Sequence, residues 1–229
     1  MSKVITITAL VAASAALASA ADWQTVEYTL SHSSGSGDDS VTAGNASFAS
    51  FTIGGDTYTT IDASSYNWSL SFNVAISTLS GSENLFSLSR SDTGADGYGV
   101  LVTNNSSTYE YAITADARNK TVSSSIVSTS DTSVSVVFSW DALNTTLSLT
   151  VGSDTVTLSG VSAESATIVA GGTDGSDYDS RFWSNGGNES ITGISLQVQQ
   201  VPEPSMFGVL AGLGALGFVA ARRRRNRKA

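Results

Sequence analysis

Between Ala21 and Gln200 apolar and polar residues alternate with period two in one segment after another, the mark of strands that bury one face and wet the other. Trp68, Leu70, Phe72, Val74 and Ile76 fall on one face, with Ser69, Ser71, Asn73 and Ala75 on the other. Val134, Val136, Phe138 and Trp140 repeat the pattern, as do Tyr98, Val100 and Val102, and Tyr109, Tyr111 and Ile113. Leu147, Leu149 and Val151 lead into Gly152-Ser153-Asp154 and then Val156 and Leu158, which predicts a hairpin whose glycine supplies a positive φ. Ile194, Leu196 and Val198 make the last strand. No proline interrupts this stretch and no long window has helical periodicity, so parallel crossovers are absent and the sheets must be antiparallel. The turn spacing predicts roughly a dozen strands in an all-β sandwich.

Both ends break the pattern. Residues 1–20 carry one cation, Lys3, then an apolar run from Val4 through Leu17 and the small triplet Ala18-Ser19-Ala20, which reads as a secretory signal peptide cut after Ala20. At the other end Val201-Pro202-Glu203-Pro204-Ser205 holds both prolines of the chain and reads as an extended hinge, residues 201–205. An apolar run follows at 206–221, then a basic tail at 222–229 with Arg222, Arg223, Arg224 and Arg225 at its start. Sixteen residues of helix reach about 24 Å, so 206–221 is a short transmembrane helix whose arginines stay cytoplasmic, leaving the body, 21–200, outside the inner membrane.

Composition narrows the chemistry. The 229 residues include no cysteine and one histidine, His32, which excludes disulfides, thiolate metal sites and any mechanism needing two imidazoles. Between the end segments four cations face nineteen acids, leaving the body near −15. Phosphate binding needs clustered cations, so nucleic acid is excluded as a partner.

Pro-Glu-Pro, a short apolar run and a terminal arginine cluster, in that order, resemble the PEP-CTERM sorting signal of bacteria that make exopolysaccharide. The resemblance covers about the last 29 residues. It implies that Val201, Pro202, Glu203 and Pro204 are read by an exosortase, that the inner membrane is a transient partner, and that the processed body ends at the cell surface or outside the cell. Signal peptidase would be the second processing enzyme. From Trp68 to Val198 the strand order, with Phe138-Ser139-Trp140, the Asp141 turn and the closing Gly193-Ile194-Ser195-Leu196, resembles the laminin-G-like, concanavalin-type jelly roll. That likeness implies an antiparallel jelly-roll sandwich from a class that includes glycan binders, protein binders and glycosidases.

Glycoside hydrolysis needs two carboxylates across a cleft. The Glu-x-Asp-x-x-Glu triplet of jelly-roll glucanases is missing; Glu27, Glu83, Glu110, Glu164 and Glu189 each stand alone and read as solvated surface. No Gly-x-Ser-x-Gly elbow accompanies His32, which reads as a solvated loop residue. The chain is therefore read as a non-enzyme. No motif demands a cofactor, but the acidic loop 174–179 offers Asp174, Asp177 and Asp179 as oxygen ligands for calcium, with plain turns as the competing reading. Trp183 and Asn185, in Arg181-Phe182-Trp183-Ser184-Asn185, are candidates for stacking on a sugar ring and reading its hydroxyls, with core packing of Phe182 and Trp183 as the alternative. Two functions follow: a surface module that binds extracellular polysaccharide, or a structural component of the matrix with no pocket. An exposed aromatic beside Asn or Asp favours the first; a flat Ser/Thr surface favours the second.

Overall fold

Alternating side chains form a sandwich only if every strand finds partners on both edges and a second sheet to cover its apolar face. The computed structural model describes residues 21–33, 39–89, 96–116, 121–171, 179–184 and 188–201. The chain divides into Trp23–Gln199 and a unit made of its two terminal stretches, Met1–Asp22 and Gln200–Ala229.

The strands are β1 (Gln24–His32), β2 (Gly44–Ile53), β3 (Asp56–Tyr58), β4 (Thr60–Ile61), β5 (Tyr66–Ile76), β6 (Ser82–Ser89), β7 (Asp96–Asn105) and β8 (Thr108–Asp116). They continue with β9 (Thr121–Val122), β10 (Val127–Thr129), β11 (Ser133–Asp141), β12 (Thr146–Val151), β13 (Asp154–Ser159), β14 (Ile168–Val169), β15 (Arg181–Ser184) and β16 (Glu189–Gln200). Among the described residues there is one four-residue helix, α1 (Ala163–Ala166), capped by the Ser162 hydroxyl accepting from Ser165 N; the period-two pattern had no means of announcing so short a turn.

The main path of paired strands runs β10-β8-β7-β6-β15-β2-β1-β16-β5-β11-β12-β13. Its joint is β1: Gln24, Thr25 and Val26 pair with Val198, Gln197 and Leu196 of β16, whereas Glu27 to His32 pair with β2. The two halves therefore form two sheets that share one strand, and aromatic side chains meet between them. Phe72 on β5 lies 5.7 Å from Phe182 on β15, and Phe138 on β11 lies 6.2 Å from Phe86 on β6. Phe48 anchors the centre, with Tyr28, Phe51, Phe86 and Phe182 all within 6.4 Å. The alternation read in β5, β11, β12 and β16 is borne out, since Trp68, Leu70, Phe72, Val74, Phe138, Leu149 and Leu196 are all buried.

Buried tryptophans must satisfy their indole N–H. Trp68 donates to the Ala166 carbonyl and Trp140 to that of Ala63, each at 2.8 Å, which ties the 62–66 turn and α1 to the first sheet. Tyr28 donates to Ile194 O at 2.6 Å, across the joint between the sheets. Burial, with Asp39 nearby, pushes its phenol up to about 12.

Candidate functional site

β15 is four residues long, and its register decides which side chains reach solvent. Phe182 pairs with Ala46 and Phe86, whose side chains face the core, so Arg181 and Trp183 must point outward. Burial follows: Phe182 and Ser184 are enclosed, Arg181 and Trp183 half-buried. Core packing of Phe182 and solvent access for Trp183 are thus not alternatives but neighbours on one strand.

The indole of Trp183 is held at its edge and beside its ring. Its Nε1 donates to Ser87 Oγ at 3.2 Å, and the Arg181 guanidinium carbon lies 5.4 Å from the ring centroid. Asn45 is directly opposite Trp183 in register. Asn45 is fixed by Ser33, whose backbone N–H donates to Asn45 O at 2.9 Å and whose hydroxyl donates to Asn45 Oδ1 at 2.5 Å. Ser47 and Ser31, opposite Arg181 and one another, carry the row across β2 and β1.

Arg181 is neutralised from below. Its Nε donates to Asp179 Oδ1 at 2.8 Å and its Nη2 contacts the same oxygen. Asp179 is buried, and its Oδ2 has no hydrogen-bond partner. Gly171 runs so close to it that any Cβ there would collide with the Asp179 side chain. The patch is therefore an aromatic ring, an amide and hydroxyls around an internally balanced ion pair, chemistry suited to a neutral polar ligand.

Of the residues singled out from sequence, Trp183 and Asp179 both belong to this patch, whereas Asn185, Asp174 and Asp177 fall outside the described residues. The remaining acid of the calcium set, Asp179, is committed to Arg181. Among the described residues no group of three or more His, Asp or Glu side chains is placed to hold a metal ion. Val201 directly follows β16, while Pro202, Glu203, Pro204 and the tail from Arg222 to Arg225 lie outside the described residues. No helix among the described residues is long and apolar enough to cross a membrane, and 206–221 is not among them.

Two readings of isolated residues change. His32 is not in a solvated loop: it ends β1 opposite Ala46, half-buried, with Nδ1 enclosed and unpartnered. Glu189 is buried rather than solvated, at the start of β16, where the preceding Asn188 O accepts from Ser77 N at 2.8 Å. Arg181, Ser87, Asn45 and Ser33 were not anticipated as parts of the patch. The alternation Arg-Phe-Trp-Ser could have revealed Arg181; nothing linear marks the other three.

Residues 200–225 match the PEP-CTERM protein-sorting motif. No curated protein matches the chain in sequence. Similar solved structures include a sialidase of Trypanosoma rangeli, 17% identical, covering 57% of this chain and 20% of that one, at a TM-score of 0.38. The chain thus spans a fifth of that enzyme. Peanut lectin is 12% identical over 80% of this chain and 100% of that one, at 0.47. A legume lectin-like domain from Entamoeba histolytica is 10% identical over 76% and 90%, at 0.41.

Proposed function

We propose that this is an exported protein whose tail is recognised by an exosortase and whose sandwich body, held at the surface or released into the matrix, binds a neutral extracellular polysaccharide through the patch around Trp183. One observation carries the reading: a half-exposed indole on the outer face of a sheet, fixed by Ser87 and Arg181 and facing Asn45 across the register. Aromatic faces stack on the C–H surface of sugars while amides and hydroxyls read ring hydroxyls. A body near −15, whose patch cation Arg181 is already paired with Asp179, selects against acidic polymers.

Binding of wild type and Trp183→Ala to an array of neutral and acidic glycans, with and without calcium, tests this. Losing a stacked ring weakens neutral-glycan binding by about two- to tenfold, since ring stacking contributes ~0.5–1.5 kcal/mol. Equal binding by the variant removes the site. Absence of any glycan binding favours the second reading, a structural matrix component, which the hydroxyl-covered outer face of the other sheet supports.

A further inference from the structure

We propose that the end of the body from which the chain leaves toward its sorting motif is a membrane-contact surface, with Trp23 and Leu143 seated among zwitterionic lipid headgroups while the tail remains attached. This rests on the reading above that the tail, through 206–221, lodges in the bilayer.

Among the described residues four large hydrophobic side chains are exposed, and two of them, Trp23 at 46% and Leu143 at 86%, share this end. The register Gln24 to Val198 carries Trp23 alongside Gln199, on the strand next to the exit. Asn67 Nδ2 donates to Gln199 Oε1 at 3.1 Å, and Ala142 N donates to Asn67 Oδ1 at 2.9 Å. The ends of β1, β16, β5 and β11 therefore stand side by side, with Trp23 at one side of the row and Leu143 at the other.

Leu143 is held outward by its turn. The Asp141 carboxylate accepts from Leu143 N at 3.0 Å, from Asn144 N at 3.1 Å and from Asn144 Nδ2 at 2.7 Å. A turn fixed by three bonds to one carboxylate presents its apolar tip as a built feature, not as a frayed end.

The tether sets the distance. Only residues 201–205 separate β16 from the apolar run, and five residues reach at most about 18 Å when extended. So short a link keeps this end of the body within reach of the interface, the region that indole rings favour. The acids Asp62 and Asp141 at the same end disfavour an anionic surface, which makes a zwitterionic one the better fit.

The experiment uses the exported chain, Ala21–Ala229, with vesicles of zwitterionic phosphatidylcholine containing a lipid brominated near its headgroup. Flotation reads the tether, and bromine quenching of tryptophan fluorescence reads the contact. The expected result is co-flotation with partial quenching that Trp23→Phe largely abolishes, Leu143→Ser weakens and Trp183→Phe leaves intact, all three variants still floating. Flotation without quenching, or quenching that survives Trp23→Phe, overturns the membrane contact and leaves the tether standing. Failure to float refutes the tether and the contact with it. Slower tail removal in cells by Trp23→Phe, with no lipid quenching of the wild type, would assign this end to the processing enzyme and overturn the lipid surface.

Discussion

The two sheets rest on one core and turn unlike faces to solvent. On the outer face of β5, β11, β12 and β13 the register lines up Ser69, Ser139 and Ser148, and beside them Ser71, Val137, Thr150 and Thr155. Hydroxyls bond across the strands there, Thr150 to Thr155 at 2.8 Å and Thr146 to Ser159 at 3.3 Å. On β15 and its neighbours the same alternation instead sets out Arg181 and Trp183 with Asn45 and Ser47. Both faces obey one alternation, with the inward positions apolar, so the difference lies in which outward residues were chosen, hydroxyls around Val137 on one and an indole beside an amide on the other. On the first face hydroxyls pair with one another across the strands, while an indole standing on a sheet leaves a ring face to be covered. The first suits a wall and the second a grip.

The largest test of this contrast is whether the faces share a foundation. Phe138, beneath the hydroxyl face, and Phe182, beneath the indole, are fully buried and both pack on Phe86. Truncating either to alanine should cost about 3–5 kcal/mol by lost transfer energy and cavity formation. Denaturant unfolding followed by circular dichroism should show one transition lowered to a similar degree by both. Two separate transitions, or a cost below 1 kcal/mol for one ring, would make the faces independent.

A smaller change should separate them. Gly171→Ala drives a methyl into Asp179, so the carboxylate must move and its pairing with Arg181 is disturbed while the hydroxyl face is untouched. Overpacking of this kind costs about 1–3 kcal/mol. The expected signature is a lowered melting temperature together with a changed Trp183 environment in near-ultraviolet circular dichroism. If the spectrum stays unchanged relative to wild type, Asp179 and Arg181 do not position the indole.

How much of this was legible follows from what each feature depends on. β5, β11 and β12 declare themselves because each buries one face only, so period two survives in the letters. The sorting motif is linear and was read outright. β7 and β8 are less plain: Leu101 and Ala112, a register pair on the face away from Val100 and Ile113, are buried as well, which blurs the alternation. The patch was legible only at Trp183 and Asp179. Ser87 stands 96 residues from Trp183 and reaches it through strand register, a tertiary fact with no local signature. Likewise His32 belongs to β1 because Ala46 pairs with it, not because its polar neighbours suggest a strand.

The finest test bears on the joint that lets one core present two faces. Tyr28, on the part of β1 that pairs with β2, donates to Ile194 O on β16 and so fastens one sheet to the other. Tyr28→Phe removes that bond and should cost about 0.5–1.5 kcal/mol at neutral pH. The pH dependence carries the sign. Burial, then the charge of Asp39, raises the folded phenol to about 12, against roughly 10 in an unfolded chain. Below pH 10 both states hold the proton and the contribution is complete; from about 10 to about 12 the unfolded chain releases its proton while the folded one keeps it, so stability falls as pH rises. Tyr111, raised by burial and then by Tyr109, adds to the same decline. Wild type should therefore lose melting temperature steeply over that alkaline window, and Tyr28→Phe, though less stable at pH 7, should lose it more gently. Parallel alkaline curves for the two proteins would mean that the phenol at the joint is as open to solvent folded as unfolded, and that the shared strand β1 and the aromatic core join the sheets without it.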